Sequence, residues 1–233
     1  MNLRPRRVSR TPKALQVLIC AVLFTFLIFA SPAKARVTVR ILLLHGVQSV
    51  QIKSSSPVRI YSLADERLVD VKTGGRAIHV IAQDNQVRLG KRTFHSFVTG
   101  GTRFRAQDVP IWVNHTPYRG AIDVVPSGGR LWIINSIRLE DYLRGVIGQE
   151  IPFNWPAAAL RAQAVAARTF TLLIRKQAEQ RANGNPLYHL TAGTDNQVYG
   201  GMRAEHPAID AAISATHDLV LTTEGKIALT FFH

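Results

Sequence analysis

The feature that most constrains the fold of this chain is a change of hydrophobic period near residue 137. Before it, short β-branched and apolar runs lie between clusters of Gly, Pro, Ser and Asn, which is the pattern of short strands joined by turns. After it, apolar residues recur at the spacing i, i+3, i+4, i+7, i+8 of a helix face, at Leu139, Tyr142, Leu143, Val146 and Ile147. Strands first and helices later predict an α+β fold.

The strand-like part runs from residue 36 to about residue 137, in runs such as RVTVRILLL, SPVRIYSL, AIHVIA and VPIWVNH. The clearest hairpin is AIDVV-PSGG-RLWIINSI, because Pro126 and two glycines favour a reversal with positive φ. Many short strands at this spacing indicate a sandwich or a small barrel-like sheet. We therefore expect a mixed or antiparallel sheet on which the later helices pack.

Two consecutive helices follow the strands. We expect Ser136 to cap the first helix, with Glu140 and Asp141 in its first turns, where the helix dipole favours acids. The helix should end near Gly148, because Pro152 disfavours helical backbone before it.

The second helix is the long one, in NWPAAALRAQAVAARTFTLLIRKQAEQRANG. Asn154 or Trp155 should cap it, and Gly184 is a natural stop. The remainder predicts a loop, then a short helix from Pro207. A hairpin in DLVLTTEGKIALTFFH, with Glu224-Gly225 at its turn, follows that helix.

The first 35 residues have the order of a secretory signal peptide. A basic stretch without acids precedes the apolar run ALQVLICAVLFTFLIFA, and Ala33-Lys34-Ala35 offers an A-x-A cleavage site. The alternative is an uncleaved membrane anchor, because about 17 apolar residues is near the lower limit for a membrane span. We expect an exported protein of the cell wall, the periplasm or the outer face of the membrane, which touches the membrane only through this segment if it is uncleaved.

The charge balance indicates an anionic surface as the partner. The chain carries +14, and the N-terminal 35 residues hold six of its 29 basic residues and none of its 15 acids, so the remainder carries about +8. A basic exported domain suits the cell wall or lipid headgroups, whereas export argues against a nucleic-acid partner. Cys20 is the single cysteine and lies in the signal segment, so the rest of the chain has no thiolate for a disulfide, a metal or catalysis.

The stretch GVIGQEIPFNWP, residues 145–156, places one carboxylate, Glu150, among glycines and apolar residues. Such surroundings disfavour the ionised form of a carboxyl group, and a glutamic acid that keeps its proton can protonate a glycosidic oxygen. Local sequence alone favours a simpler interpretation. In that interpretation Glu150 is a helix-end residue whose side chain reaches solvent or a nearby backbone N–H. The sequence has no Gly-rich phosphate loop, no H-E-x-x-H and no serine in a nucleophile elbow.

The residues around Glu150 resemble the signature of the stage II sporulation protein D family, which includes the LytB-type amidase enhancers. LEDYLRGVIGQEIPFNWPAAALRAQAVAARTF is similar to the family's ordered elements: a D-Y-L-x-G-V helix, a Glu before a hydrophobic residue and Pro, a Trp-Pro, and A-L-[KR]-A-Q-A-V-A-A-R-[ST]-[YF]. DNQVYGG, residues 195–201, is similar to the family's later Q-V-Y-x-G element. The resemblance covers about residues 120–233, and the strand-rich residues 36–119 match only loosely.

The resemblance implies a lytic transglycosylase that cleaves peptidoglycan glycan strands, in cell-wall remodelling or sporulation-type engulfment, with Glu150 as its catalytic residue. Ordinary glycosidases need two carboxylates. A lytic transglycosylase can use one, because the C6 hydroxyl of N-acetylmuramic acid is the nucleophile and closes a 1,6-anhydro ring. The alternative is a non-catalytic glycan-binding module that stimulates an N-acetylmuramoyl-L-alanine amidase, and a third interpretation is a basic structural domain of the wall.

Five other residues of the matched elements are candidate substrate-binding residues: Trp155, Gln163, Arg168, Gln197 and Tyr199. Trp155 would stack on a sugar ring or staple the helix start, and Gln163 would bond the glycan or the loop of Glu150. Arg168 would contact the substrate or tie its helix to the sheet. Gln197 and Tyr199 would line the cleft with amide and phenol donors, unless Tyr199 is a core residue with a satisfied hydroxyl.

The chain departs from the family in two ways. Some members carry cysteines in the region of YHLTAGTDNQVYGG and bind zinc there, whereas this region has none, so we predict no metal and no cofactor. Members usually continue beyond FFH with a segment rich in serine and glycine that contributes to the cleft. The resemblance therefore implies that the domain is incomplete at its C-terminus.

Overall fold

The computed structural model describes residues 37–89, 92–93, 102–106 and 109–230, so the segment interpreted as a signal peptide lies outside the described residues. Three α-helices occur in this part of the chain, α1 (Leu139–Glu150), α2 (Ala157–Arg181) and α3 (Pro207–Ala215), with a 3-10 helix at Gly201–Ala204. The strands are β1 (Thr38–Val47), β2 (Ser49–Lys53), β3 (Val58–Ser62), β4 (Leu68–Lys72), β5 (Ile78–Gln83), β6 (Gln86–Leu89), β7 (Arg92–Thr93), β8 (Thr102–Ala106), β9 (Ile111–Val113), β10 (Thr116–Tyr118), β11 (Ala121–Ser127), β12 (Arg130–Arg138), β13 (Leu190–Thr191), β14 (Thr222–Thr223) and β15 (Lys226–Ile227).

Two sheets form the strand-rich part of the molecule. The larger has the order β13-β1-β12-β11-β8-β3-β4, in which β13 runs parallel to β1 and the other neighbours are antiparallel. The smaller has the order β10-β9-β2-β5-β6-β7 and is antiparallel. Strands precede helices along the chain, so the predicted α+β class is confirmed. Strands from both sides of residue 120 pair with one another in the larger sheet.

An apolar core lies between the two sheets. Alternate residues of the short strands point inward, as in β2 and β5, where buried and exposed positions alternate. The core includes Ile52, Ile60, Val80, Phe104, Ile122 and Ile133, which come from both sheets and are almost completely buried. This core holds the two sheets together, and the larger sheet leads through β12 into α1.

A second core joins the larger sheet to the helices. The predicted face of α1 is buried there, with Tyr142, Leu143, Val146 and Ile147 inaccessible to solvent. It packs on residues of β1 and β12 and on the small side chains of α2, such as Ala164. The local periodicity of the sequence therefore predicted the buried face of α1 correctly.

The ends of the helices differ from the sequence-based expectation. Ser136 does not cap α1, because it lies inside β12 and pairs with Ala121 of β11; Arg138 holds the cap position without a side-chain cap. The helix continues to Glu150, two residues beyond Gly148. Pro156, and neither Asn154 nor Trp155, occupies the N-cap position of α2.

The long helix α2 is long and apolar enough, by length and composition alone, to cross a membrane. It packs against α1, α3 and β15, and it carries the buried charge of Arg168. These contacts are typical of a core helix.

Candidate functional site

Glu150 is the last residue of α1 and is half-buried. The backbone leaves the helix at Ile151 in an extended conformation, with φ −139° and ψ 148°. One carboxyl oxygen, Oε1, accepts a hydrogen bond of 3.3 Å from the backbone N–H of Val198. Within the described residues this is the one hydrogen bond to the Glu150 carboxyl group, so Oε2 has no hydrogen-bond donor there.

The segment that supplies this N–H is fixed on both sides of Val198. Gln197 is 1% exposed, and its Oε1 lies 3.3 Å from the hydroxyl of Tyr142 and 2.9 Å from that of Thr171. Tyr199 is buried, and its hydroxyl donates to Oδ1 of Asn135 at 2.9 Å. The side chains before and after Val198 therefore anchor the backbone that contacts Glu150.

Two glycines of α1 let this segment approach the helix. A Cβ at Gly145 would lie 2.5 Å from the ring of Tyr199, and one at Gly148 would lie 2.4 Å from the carbonyl oxygen of Ala204. The backbone N–H of Gly200 also donates to the carbonyl of Gly145 at 2.9 Å. Glycine weakens a helix by about 1 kcal/mol relative to alanine, but no larger residue fits at these contacts.

Tyr142 lies beneath the site as a neutral donor. Burial raises the pKa of Tyr142 far above its ordinary value, and the charge of Glu150 raises it further. The phenol therefore keeps its proton and can hold the Gln197 side chain in place. It also places a polar group of the core within electrostatic range of Glu150.

Arg168 is 1% exposed and uses all its donors inside the protein. Nε and Nη2 donate to the two carboxylate oxygens of Glu140 at 2.8 and 2.7 Å. Its remaining donors face the carbonyl oxygens of Ala164, Ile213 and Leu219. These contacts tie α2 to α1 and to the C-terminal segments, and not to the sheet as the sequence-based interpretation had it.

The other candidate residues lie in different surroundings. Trp155 is 50% exposed, between the end of α1 and the start of α2, and Gln163 is half-buried on α2. Phe153 is 52% exposed and stacks on His206 with ring centroids 4.0 Å apart. The chain that follows Glu150 therefore presents two aromatic rings to solvent.

The structure brings together Glu150, Gln197 and Tyr199, whereas Arg168 belongs to a separate ion pair. Sequence reasoning missed the supporting residues Asn135 and Thr171, because each is a small polar residue inside a strand or helix with no motif of its own. Within the described ranges no three His, Cys, Asp or Glu side chains lie close enough together to hold a metal ion.

Comparison with known proteins places all these residues in one matched region. A family model described as stage II sporulation protein matches residues 127–223. An uncharacterized protein of Brachyspira hyodysenteriae is 31% identical over 132 residues, which cover 57% of this chain and 34% of that protein. Stage II sporulation protein D of Bacillus subtilis is 34% identical over 100 residues, which cover 40% of this chain and 28% of that protein. The matches span about a third of the length of these relatives.

Proposed function

Because residues 127–223 belong to the stage II sporulation protein family, whose members point to a sporulation-related function in the cell wall, we propose that this chain is an exported lytic transglycosylase of peptidoglycan. Glu150 is the proton-transfer group. One observation carries the proposal: Oε1 of Glu150 is held by a backbone N–H, while Oε2 has no donor among the described residues. A carboxyl group held in this way is oriented and still has one oxygen for a substrate.

The reaction needs one carboxyl group for two proton transfers. The acid form of Glu150 gives its proton to the glycosidic oxygen as the bond from that oxygen to C1 of N-acetylmuramic acid breaks. The C6 hydroxyl of the same sugar then bonds to C1 and gives its proton to the Glu150 carboxylate. The glycan leaves with a 1,6-anhydro ring, and Glu150 regains its proton without consuming water.

The neighbouring carboxylates support a mechanism with a single acid. Glu205 accepts two hydrogen bonds from Arg119 at 2.7 and 2.8 Å, and Asp210 accepts two from Arg144 at 2.8 and 2.5 Å. Both oxygens of each of these carboxylates are therefore engaged by an arginine. They are therefore poor candidates for the second acid of an ordinary glycosidase.

A second candidate function is a glycan-binding module that stimulates a cell-wall amidase. The burial of Arg168, Gln197 and Tyr199 favours this second function. A polar catalytic cleft would expose such side chains to the substrate, whereas these three are buried. The exposed rings of Phe153 and Trp155 offer a surface for binding sugar without a catalytic cleft. In both functions the partner is the glycan strand, and the amidase is a partner in the second one alone.

The experiment that tests the proposal is digestion of peptide-free glycan strands by the purified protein, with mass spectrometry of the products. We expect 1,6-anhydro ends from the wild type and from Glu224→Gln, a control at the exposed hairpin turn. Glu150→Gln should give none, because an amide cannot donate the proton. Anhydro products from Glu150→Gln would refute the assignment, and a wild type that makes none but accelerates an added amidase would establish the second function.

A further inference from the structure

A groove of about 720 Å³ lies between the smaller sheet and the 3-10 helix Gly201–Ala204. Its lining includes Lys53 of β2, Trp112 of β9, the turn residue His115 and Arg203 of the 3-10 helix. A second hollow of about 310 Å³ shares Asn114 and His115 with it, so the two are adjacent. Volumes of several hundred Å³ are typical of sites for small ligands. We call it the Trp112 groove.

The chemistry of the Trp112 groove suits a sugar that carries a carboxylate. Trp112 is 38% exposed and offers a flat apolar face to a sugar ring. The side-chain amide of Asn114 can bond hydroxyl or acetamido groups, and Lys53 and Arg203 supply positive charge. No Asp or Glu occurs among the residues that line the groove in the described part of the chain, so nothing there opposes an anion.

The walls of the groove are held in place. Asn114 has φ +51° in the two-residue turn between β9 and β10, and its N–H donates to the carbonyl of Gln51 at 2.8 Å. Its Oδ1 accepts from the N–H of Gln51 at 3.0 Å, so its NH₂ group is left to donate. Arg203 Nη2 donates to the carbonyl of His115 at 2.5 Å and ties the 3-10 helix to this turn. A preformed groove saves the cost of ordering its walls when a ligand binds.

The Trp112 groove is close to Glu150 along the chain. Val198, whose N–H bonds Glu150, is five residues before Arg203, and an extended chain of that length spans at most about 18 Å. The 3-10 helix that carries Arg203 also packs against α1, where a Cβ at Gly148 would lie 2.4 Å from the carbonyl oxygen of Ala204. A few sugar units of one glycan strand are long enough to contact both places.

We propose that the Trp112 groove binds a carboxylate-bearing stretch of the glycan strand at a distance from the bond that Glu150 acts on. The identity of the ligand rests on the proposed function, whereas the binding itself does not require cleavage. Trp112 packs against a sugar ring, and Lys53 and Arg203 attract the lactyl carboxylates of muramic acid. The groove thereby selects glycan strands that have free carboxylates over neutral sugar chains.

The test measures binding of two probes by calorimetry with Glu150→Gln protein, which removes turnover. The probes are peptide-free glycan strands with free lactyl carboxylates and neutral oligomers of N-acetylglucosamine. We expect Trp112→Ala to weaken binding of the glycan strands about tenfold or more, as for an aromatic anchor, and Trp112→Phe to retain most of it. Leu68→Ala, at a 48% exposed apolar position of β4, is the control and should bind normally.

The charge requirement is tested separately. Arg203→Ala and Lys53→Ala should lower affinity for the glycan strands and reduce its dependence on salt, whereas Arg181→Ala, an exposed cation at the end of α2, should do neither. Arg203→Lys should restore part of the affinity. Equal affinity for the two probes, or unchanged binding by Trp112→Ala with a normal melting temperature, would overturn the groove proposal and leave the cleavage assay standing. If the wild type makes no anhydro products in the cleavage assay but the glycan strands bind as expected here, the proposed function alone is overturned.

Discussion

At the scale of single residues, Glu150 depends on a partner that the local sequence does not reveal. Its Oε1 is bonded by the N–H of Val198, 48 positions later, and Val198 is set by two buried neighbours. An ordered motif in the sequence made Glu150, Gln197 and Tyr199 candidate site residues. It did not distinguish side chains that line a cleft from side chains that anchor a backbone donor, because both kinds of residue are polar and share the same spacing.

Tyr199→Phe tests the anchoring role of the phenol. Its loss leaves the buried Oδ1 of Asn135 without the hydroxyl that donates to it at 2.9 Å. We expect the free energy of unfolding to fall by about 1–3 kcal/mol in urea denaturation. Tyr188→Phe, at a half-buried ring whose hydroxyl bonds no residue in the described part of the chain, should change it by less than about 0.5 kcal/mol. A variant as stable as wild type with weakened glycan binding would instead make Tyr199 a residue of the cleft.

Arg168→Met tests whether Arg168 serves stability or substrate binding. The change leaves the half-buried carboxylate of Glu140 without its two charged donors, and we expect the free energy of unfolding to fall by about 3 kcal/mol. Arg161→Met, exposed on the same helix, should cost less than about 0.5 kcal/mol. The folded fraction of the Arg168→Met protein should bind glycan with unchanged affinity. A weaker affinity would mean that Arg168 contacts the substrate.

At the scale of elements, the sequence predicted features set by neighbouring residues and missed features set by contacts between distant segments. The helical spacing from Leu139 onward predicted the buried face of α1, because the face of a helix depends only on the spacing of its own residues. Ser136 was a reasonable cap by composition, but its pairing in β12 comes from β11, which local propensity does not encode. The glycines of α1 are explained only by the segment packed on them.

Gly145→Ala gives opposite predictions from helix propensity and from packing. Alanine would strengthen an isolated helix by about 1 kcal/mol. In the protein its Cβ would lie 2.5 Å from the buried ring of Tyr199, so we expect a net loss of about 1–3 kcal/mol in the free energy of unfolding. Ala162→Gly, exposed on α2, should lose about 1 kcal/mol by propensity alone. A more stable Gly145→Ala protein would contradict the close packing of α1.

His189 should make the junction of β1 and β13 sensitive to acid. Burial, followed by the charges of Arg40 and Arg175, lowers the pKa of His189 from 6.5 to about 4. Its Nδ1 accepts from the N–H of Arg40 at 3.0 Å, which requires the neutral ring. The unfolded chain takes up this proton first, so stability is complete above pH 6.5 and falls as the pH drops toward 4.

The expected loss from this group is about 2 kcal/mol at pH 4.5, after allowance for partial solvent screening. Urea denaturation at pH 7.5 and 4.5 gives the change in the free energy of unfolding between the two pH values. This change is compared between wild type and variants, because carboxylates contribute to it in every protein. His189→Asn, which keeps a hydrogen-bond acceptor, should reduce the pH dependence of the free energy of unfolding, and His217→Asn at an exposed position should not. An equal pH dependence for wild type and His189→Asn would contradict the assignment.

At the scale of the whole molecule, the two sheets and the helices form the support for the candidate site at the end of α1. Strands before and after residue 120 pair in one sheet, so the strand-rich region and the region that carries the helices share that sheet. The sequence could predict the order of strands and helices, but the order of strands within a sheet depends on distant pairs. The Trp112 groove arises in the same way, since its lining comes from β2, β9 and the 3-10 helix.

In the proposed reaction Glu150 moves a proton while the sugar supplies its own nucleophile. The most direct measurement is the mass of the glycan ends produced in water enriched in heavy oxygen. A lytic transglycosylase adds no water, so we predict 1,6-anhydro ends without the heavy isotope from the wild type and no such ends from Glu150→Gln. Ends that carry the heavy isotope would mean hydrolysis, and unlabelled anhydro ends from Glu150→Gln would mean that another group moves the proton; either result would contradict the account.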